Sequence, residues 1–430
     1  MTGIAEGPAV VLRRCYAAAV GAVQPEAALR GPLRDVDPGR SPCWIISVGK
    51  SSHGMARAIV GWLAEHGRAP SGGIVVAAER LPAPHASLQS LVGDHPIPGA
   101  ASARAAVAIS DLLDVIPANA EVHVAISGGT SALIAGPLAQ LRASDVAQTF
   151  ALLMSSGLDI REMNAVRKRV TRWSAGRLAL GLGSRRTHVW VISDVMGDDL
   201  SSIGSGPCTG DTWTSAAVGA MLAERGLLAA LPAAVQAAMK EETPKPDDEF
   251  LGSITPRIVA NNSIALAAAA ATARRLGISA QVTANPLRGE AALMGRGIAT
   301  AMRHRDGAPC IRIWGGETTV TIVGDAGVGG RSQELALAAA EALRGTDGVL
   351  LAAGTDGRDG PTDAAGALVD GATWVRIAAA GHDPAADLLR HDSYAALDAA
   401  GSLIKTGPSG TNVMDVVFTA TGWRSAAPAS

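Results

Sequence analysis

The chain has 430 residues, 37 basic and 39 acidic side chains, a formal charge of −2 and 48% hydrophobic residues. That length exceeds one ordinary core, so two domains are expected. The balanced charge offers nothing to nucleic acid or an anionic membrane, and aromatics at 3% leave no base-stacking platform.

Mean hydropathy is positive, at +0.22, through alanine and valine. No apolar run of roughly eighteen residues escapes charge or glycine, so no membrane span is expected. Residues 1–20 lack the ordered basic start, apolar core and cleavage site of a signal peptide. Cys15, Cys43, Cys208 and Cys310 lie far apart with no CxxC pair. They read as buried thiols of a reducing cytoplasm.

Residues 7–22 have helical spacing, and 32–42 read as a polar loop. The apolar strand 43–48 runs into Gly49-Lys50-Ser51-Ser52-His53-Gly54 and a helix from Met55. A lysine at a strand-to-helix turn stands where amide groups and the helix dipole favour an anion, although a solvated loop lysine fits as well. GxxxxGK[ST] is absent, so this is not a Walker A loop. A second strand, 73–78, precedes the turn Gly93-Asp94-His95-Pro96-Ile97-Pro98-Gly99 and a helix over 100–115. His95 either meets a ligand there or caps the turn.

Strand 121–126 enters Ser127-Gly128-Gly129-Thr130-Ser131-Ala132-Leu133. Two glycines and three hydroxyls at a helix start suit a phosphate cradle; a tight βα turn is the plainer alternative. A helix is expected over 145–155. The basic cluster Asn164-Ala165-Val166-Arg167-Lys168-Arg169 follows, in a helical stretch reaching 179. Strand 188–192 ends in Ser193-Asp194-Val195-Met196-Gly197-Asp198-Asp199. An acid directly after a buried strand can hold a divalent cation, or simply form an Asx turn.

Residues 216–240 read as helix and 241–250 as an exposed linker. Strand 258–260 precedes Asn261-Asn262-Ser263 and a helix to 276, then a strand at 279–283 and a helix at 291–303. Glycine-acid runs follow the strands 311–314 and 349–352, with a buried alanine-rich helix between them. A glycine-hydroxyl loop at 407–415 precedes strand 416–418, and 425–430 read as frayed.

In this order the motifs resemble the class II glycerate kinases, the MOFRL family, over nearly the whole chain. The likeness rests on Gly49-Lys50, Gly93-Asp94-His95-Pro96, Ser127-Gly128-Gly129-Thr130-Ser131, Asn164-Ala165-Val166-Arg167-Lys168, Ser193-Asp194 and Ser205-Gly206-Pro207. It continues in Gly315-Gly316-Glu317-Thr318-Thr319, Gly329-Gly330-Arg331, Gly354-Thr355-Asp356-Gly357 and Gly407-Pro408 with Gly410-Thr411-Asn412-Val413. The resemblance implies a cytoplasmic α/β enzyme of two domains with the active site in a cleft between them. Residues 1–250 would form a Rossmann-like, mostly parallel nucleotide-binding domain. Residues 251–430 would form a smaller MOFRL-type α/β domain, with the chain end packing back on the first.

It further implies ATP-dependent phosphorylation of D-glycerate with Mg²⁺, in a monomer or homodimer. The essential lysine and arginine fall on Lys50 and Arg331, with Asp194, Glu317, Asp356 and Asn412 as further site residues. The roles expected are as follows. Ser127, Gly128, Gly129, Thr130, Ser131 and Asp198 hold the nucleotide. Asp194 and Glu317 hold the metal. His95, Glu317 and Asn412 meet the substrate, and Asp356 is the candidate base. The family usually has glycine at Thr130 and Ala175, proline at Met196, asparagine at Ser332 and Met414, and histidine at Arg169. Another small hydroxy acid is an alternative substrate. A nicotinamide-dependent hydroxypyruvate reductase is a second reading, but no strand here is followed by GxGxxG. A nucleotide- or sugar-acid-binding protein without catalysis is a third.

Overall fold

The computed structural model describes residues 6–252, 254–302 and 307–423. The chain forms two compact units, residues 25–259 and residues 1–24 with 260–430. The units part at 24/25 and at 259/260, where the sequence reading places a single boundary at 250.

The first unit holds β1 (Cys43–Val48), β2 (Gly72–Ala77), β3 (Leu88–Val92), β4 (Glu121–Ile126), β5 (Arg186–Ile192) and β6 (Arg257–Ala260). Their order is β3-β2-β1-β4-β5-β6, and the pairings from β3 through β5 are parallel. β2 and β4 are buried at every residue, as parallel strands covered on both faces require. The chain builds outward from β1 to β3, then returns to β1's other side with β4. The order therefore reverses between β1 and β4, which makes their carboxyl ends a topological switch point.

A helical layer completes this unit. Phe150, Leu153, Val166, Val218 and Leu222 form its apolar centre. Lys168 and Arg169 are buried within it, and both pair with the fully buried Asp211, at 3.1 and 3.0 Å. The basic cluster thus finds its counter-ion here. Residues 25–34, expected in part as loop, form the helix Pro25–Arg34. The expected helix over 216–240 is two helices, Ser215–Glu224 and Ala233–Ala238, separated by Gly226 at φ +67° and Pro232.

The second unit holds β7 (Ser279–Val282), β8 (Cys310–Gly316), β9 (Val349–Gly354), β10 (Gly366–Asp370), β11 (Leu403–Ile404) and β12 (Asp415–Thr421). The order is β11-β10-β9-β12-β8-β7, antiparallel throughout except β7 with β8. β12 is central, so the chain's last strand belongs to this core and not to the first unit. The helix Pro8–Ala22 packs on Asn262–Arg275 and on β12, through a stripe of Val11, Leu12, Cys15, Tyr16 and Ala19. Tyr16 Oη donates to the Gly354 carbonyl at 2.7 Å, and Thr411 Oγ1 to that of Val23 at 2.7 Å. This anchoring joins residues 1–24 to this unit.

Three cysteines are buried, and burial raises the thiols of Cys15 to about 11 and of Cys43 and Cys208 to about 12. Cys310, expected to be buried, is partly exposed. No described helix is long and apolar enough to cross a membrane. The expected fray at 425–430 and the helix end at Arg303 lie outside the described residues.

Candidate active site

In the first unit the functional groups gather at the switch point. The Lys50 amide donates to the Gly128 carbonyl at 2.9 Å, and the Ser51 amide to Ser127 Oγ at 3.0 Å. These bonds tie the loop after β1 to the loop after β4. Gly129 sits at φ +86°, which favours glycine, and a Cβ there would lie 3.3 Å from His95 Cδ2 and 3.5 Å from Lys50 Cγ. A Cβ at Gly128 would fall 1.7 Å from Asp194 Oδ2, so the carboxylate after β5 lies directly against this glycine. Lys50, His95, Gly128, Gly129 and Asp194 are thus one cluster.

The hydroxyls do not all face it. Ser127 and Thr130 are each 1% exposed. Thr130 Oγ1 donates to the carbonyls of Val48, at 3.0 Å, and Ser127, at 2.7 Å. Both side chains, expected from the sequence to meet the nucleotide, hydrogen-bond within the turn, and what faces the cluster is the backbone of Gly128 and Gly129. Ser131 Oγ, part-buried, bonds Ser205 Oγ at 2.7 Å. Asp198 lies in the turn beyond Asp194, with its amide donating to the Val195 carbonyl at 3.1 Å and φ at +56°.

Burial first, and then the nearby cations Lys50 and Arg167, hold His95 below the ordinary histidine range. Its ring is therefore neutral at neutral pH. Arg167 was quoted only as part of a motif, yet it stands out here. Its guanidinium lies 4.6 Å over the Phe150 ring, and its Nε is buried without a partner. An unsatisfied donor beside Lys50 and His95 suits an anion.

The second unit gathers a different set. Arg331 opens the helix Arg331–Leu343. Its Nε donates to Asp415 Oδ2 at 2.5 Å and its Nη2 to Asp415 Oδ1 at 3.0 Å, while Nη1 donates to Glu317. The strand register explains the meeting. Asp415, first in β12, stands opposite Gly316 at the end of β8 and Gly354 at the end of β9. A Cβ at Gly354 would lie 3.0 Å from Asp356 Oδ1 and 3.5 Å from Asp415 Oδ1, so those acids converge.

Burial pushes Asp415 up to about 6, against the pull of Arg331. Burial and then Asp415 push Asp359 up to about 7. Asp359 accepts from the amides of Ser332 at 3.2 Å and Gln333 at 2.8 Å, capping the helix that carries Arg331. Burial lowers the Arg331 pKa, but Asp415 and Glu317 more than reverse this, so the guanidinium stays charged. Asn412 Oδ1 accepts from the Met414 amide at 3.0 Å. Asn262 Nδ2 donates to the carbonyls of Val413 at 2.8 Å and Asp415 at 3.1 Å. Neither Asp415 nor Asp359 was singled out by sequence. Asp415 ends a polar loop and reads as its last member; only the register reveals its place under Arg331.

Residues 11–240 match the family model described as a domain of unknown function, DUF4147, and residues 310–415 match the MOFRL family model. A D-glycerate 2-kinase of Thermotoga maritima is 35% identical over 93% of this chain and 95% of its own. A putative hydroxypyruvate reductase of Agrobacterium vitis is 39% identical over 94% and 93%. The crystal structure of a Thermotoga maritima glycerate kinase superposes with a TM-score of 0.86 at 32% identity, covering 96% of this chain and 98% of that one.

The chain belongs to the class II glycerate kinase family.

Several departures from the family pattern now have physical readings. Ala175 and Met414 hold φ of +52° and +71°, conformations that glycine and asparagine adopt more easily. Arg169, where the family usually has histidine, is buried on Asp211 and donates to the Trp213 carbonyl at 3.0 Å. Thr130 is buried and donates to the carbonyls of Val48 and Ser127.

Proposed function

We propose that this chain is an ATP-dependent kinase that phosphorylates D-glycerate, at the 2-hydroxyl. The observation that carries this reading is the cluster of Lys50, glycine backbone and Asp194 at the switch point, in a chain 35% identical to a D-glycerate 2-kinase. Phosphoryl transfer needs positioning and charge neutralisation more than covalent chemistry. The backbone of Gly128 and Gly129, with Ser131, cradles the nucleotide phosphates, and Asp198 borders them. Lys50 neutralises the transferred phosphoryl group. Arg167, the other cation that acts on His95, adds positive charge to the same region. His95, held neutral, donates or accepts a hydrogen bond without adding charge.

Asp194 is a hard oxygen donor beside the cradle, which fits a magnesium ion. Such an ion would neutralise phosphate charge while bound. Glu317 was also expected as a ligand; its bond to Arg331 supports a role in holding that guanidinium. Arg331 takes the glycerate carboxylate or the transferred phosphoryl group, since a planar fork matches either. Asp356 receives the hydroxyl proton, and Asn412, in the loop before β12, meets the substrate. Nε and Nη2 of Arg331 bind Asp415 and Nη1 binds Glu317, so the guanidinium is fixed in direction and the remaining Nη hydrogens are what it offers an anion.

The test is ADP release with D-glycerate, ATP and Mg²⁺. Turnover with D-glycerate supports the reading. Release with another hydroxy acid alone would overturn the substrate and keep the kinase. The name of the Agrobacterium relative favours a second reading, hydroxypyruvate reduction. The loop after β1, Gly49-Lys50-Ser51-Ser52-His53-Gly54, lacks the glycine spacing that seats a dinucleotide pyrophosphate. Oxidation of NADH or NADPH by hydroxypyruvate would restore that reading.

A further inference from the structure

We propose that the unit of residues 25–259 carries a second anion site, at the amino-terminal ends of β5 and β6, for a small phosphate- or carboxylate-bearing metabolite. A cavity of about 450 Å³ opens there, lined by Arg185, Arg186, Arg257, His188, Thr187 and Thr255, with Trp190 against its wall. Among the described residues no carboxylate lines it. Strand alternation sets Arg186, His188 and Trp190 on one face of β5. The His188 and Trp190 rings stack at 5.8 Å and 6°, and Arg257 lies 5.7 Å over the Trp190 ring.

The arginines are held differently. Arg185 donates to the carbonyls of Leu113, Ile116, Pro117 and Leu182, so its charge is fixed in place without a counter-ion. Arg186 Nε stands 3.9 Å from Glu121 Oε1, beyond hydrogen-bond distance. Arg257 pairs with Asp35 at 3.2 Å, where both side chains are about half exposed or more. Against three cations stand one buried carboxylate, Glu121, already bonded to His188 at 2.8 Å, and the solvated Asp35. The cavity wall is therefore positive, and Arg186 Nε brings a donor without a hydrogen bond to it. Guanidinium forks match phosphate and carboxylate edges. A volume of about 450 Å³ is larger than bare phosphate needs and suits a small organic anion.

Glu121, His123 and His188 bring their ligand atoms together, yet a cation does not fit them well. Trp190 Nε1 donates to His123 Nδ1 at 3.1 Å. Burial holds His123 neutral, with its pKa near 3. The ring proton therefore sits on Nε2, the atom facing Glu121, and leaves no lone pair there. The cavity is also distinct from the candidate active site. β5 runs seven residues from Arg186 to Ile192, and Asp194 follows its far end. At about 3.3 Å per residue the two sites are some 20 Å apart.

The experiment is calorimetric titration of inorganic phosphate, and separately of citrate, into the full chain carrying Lys50→Ala, which weakens binding at the switch point. Saturable binding is expected to persist there, to fall with added salt, and to weaken about tenfold or more on adding Arg186→Ala and Arg257→Ala. Tighter citrate than phosphate would assign the site to carboxylates; the reverse would assign it to phosphate. Failure of both anions to bind the Lys50→Ala chain, or equal binding without the two arginines, overturns the site. Should the combined variant fail to fold, Arg186→Gln alone must weaken the Lys50-independent binding.

Discussion

The two units bring polar groups to the edge of a sheet by opposite routes. In residues 25–259, parallel strands all end on the same side, so the loops after β1, β4 and β5 arrive together. Lys50, Gly128 and Asp194 meet through strand direction alone. In the other unit, β12 runs against β8 and β9, so its first residue rises where theirs end. Asp415 enters beneath Arg331 from the opposite chain direction. The first arrangement leaves its lysine exposed. The second fixes its arginine between two carboxylates, one of them buried. The parallel edge leaves its cation exposed; the antiparallel edge holds its cation between acids.

The contrast is broken most directly by removing each cation. Lys50→Ala and Arg331→Ala should each lower kcat by about 10³-fold or more. Their stabilities should part. Exposed Lys50 can be lost with little change in the urea midpoint, whereas losing Arg331 strands Asp415 and should cost several kcal/mol, on the order of 3. Equal midpoints would sink the distinction.

Asp211→Asn and Asp415→Asn sharpen it next. Asp211 serves two buried cations, so its loss leaves Lys168 and Arg169 facing each other and should cost about 3–5 kcal/mol. Asp415→Asn should cost less, about 1–3 kcal/mol, since Arg331 keeps Glu317 and some solvent. It should lower kcat more than it raises KM, because the guanidinium remains but loses its direction. A KM effect alone would indicate simple substrate binding.

The first arrangement was far more legible in the sequence than the second. Lys50, Ser127–Gly129 and Asp194 each follow an apolar run directly, and strand-then-loop is a local signal. β3 was missed because Leu88-Gln89-Ser90-Leu91-Val92 is short, half-polar and at the sheet edge. The inward turn of Ser127 and Thr130 was hidden too, because a hydroxyl reads the same whether it faces phosphate or a carbonyl. Asp415 and Asp359 depend on register across distant strands, which no local pattern carries. The membership of residues 1–24 was hidden for a similar reason. An amphipathic helix announces that it buries a stripe, not which sheet covers it.

A smaller effect tests the buried acid beside Arg331. Asp359 has a folded pKa near 7, above its unfolded value near 4. Between those values the folded state binds the extra proton, so this carboxyl's contribution to stability is present below pH 4 and lost as pH rises through 7. Asp359→Asn cannot titrate. Its urea midpoint relative to the parent chain should therefore rise from pH 4.5 to pH 7.5, by the equivalent of about 1–3 kcal/mol. A flat or falling difference would show that Asp359 is ionised throughout.

The smallest effects lie in the backbone, and they too separate the units. Ala175 and Met414 each hold a left-handed φ without glycine, one in each unit. Relieving Ala175 with glycine removes about 1–2 kcal/mol of strain but restores about 0.5–1 of unfolded-chain entropy. It also loses a buried methyl worth about 0.8 kcal/mol. These terms nearly cancel, so Ala175→Gly should shift the midpoint by less than about 1 kcal/mol. Gly176→Ala, next in the chain at φ +78°, carries the same terms with opposite signs: about 1–2 kcal/mol of strain against about 0.5–1 of unfolded-chain entropy. Its new Cβ would meet Leu251 Cδ2 at an ordinary 3.5 Å, so it should destabilise by less than about 1 kcal/mol. Met414→Asn falls on the unfavourable side for a different reason. The site is 5% exposed, and an amide there would lose apolar burial of about 1–2 kcal/mol while gaining only the easier φ. If Met414→Asn instead stabilised the chain, backbone strain would outweigh side-chain packing at the turn that carries Asn412 and Asp415.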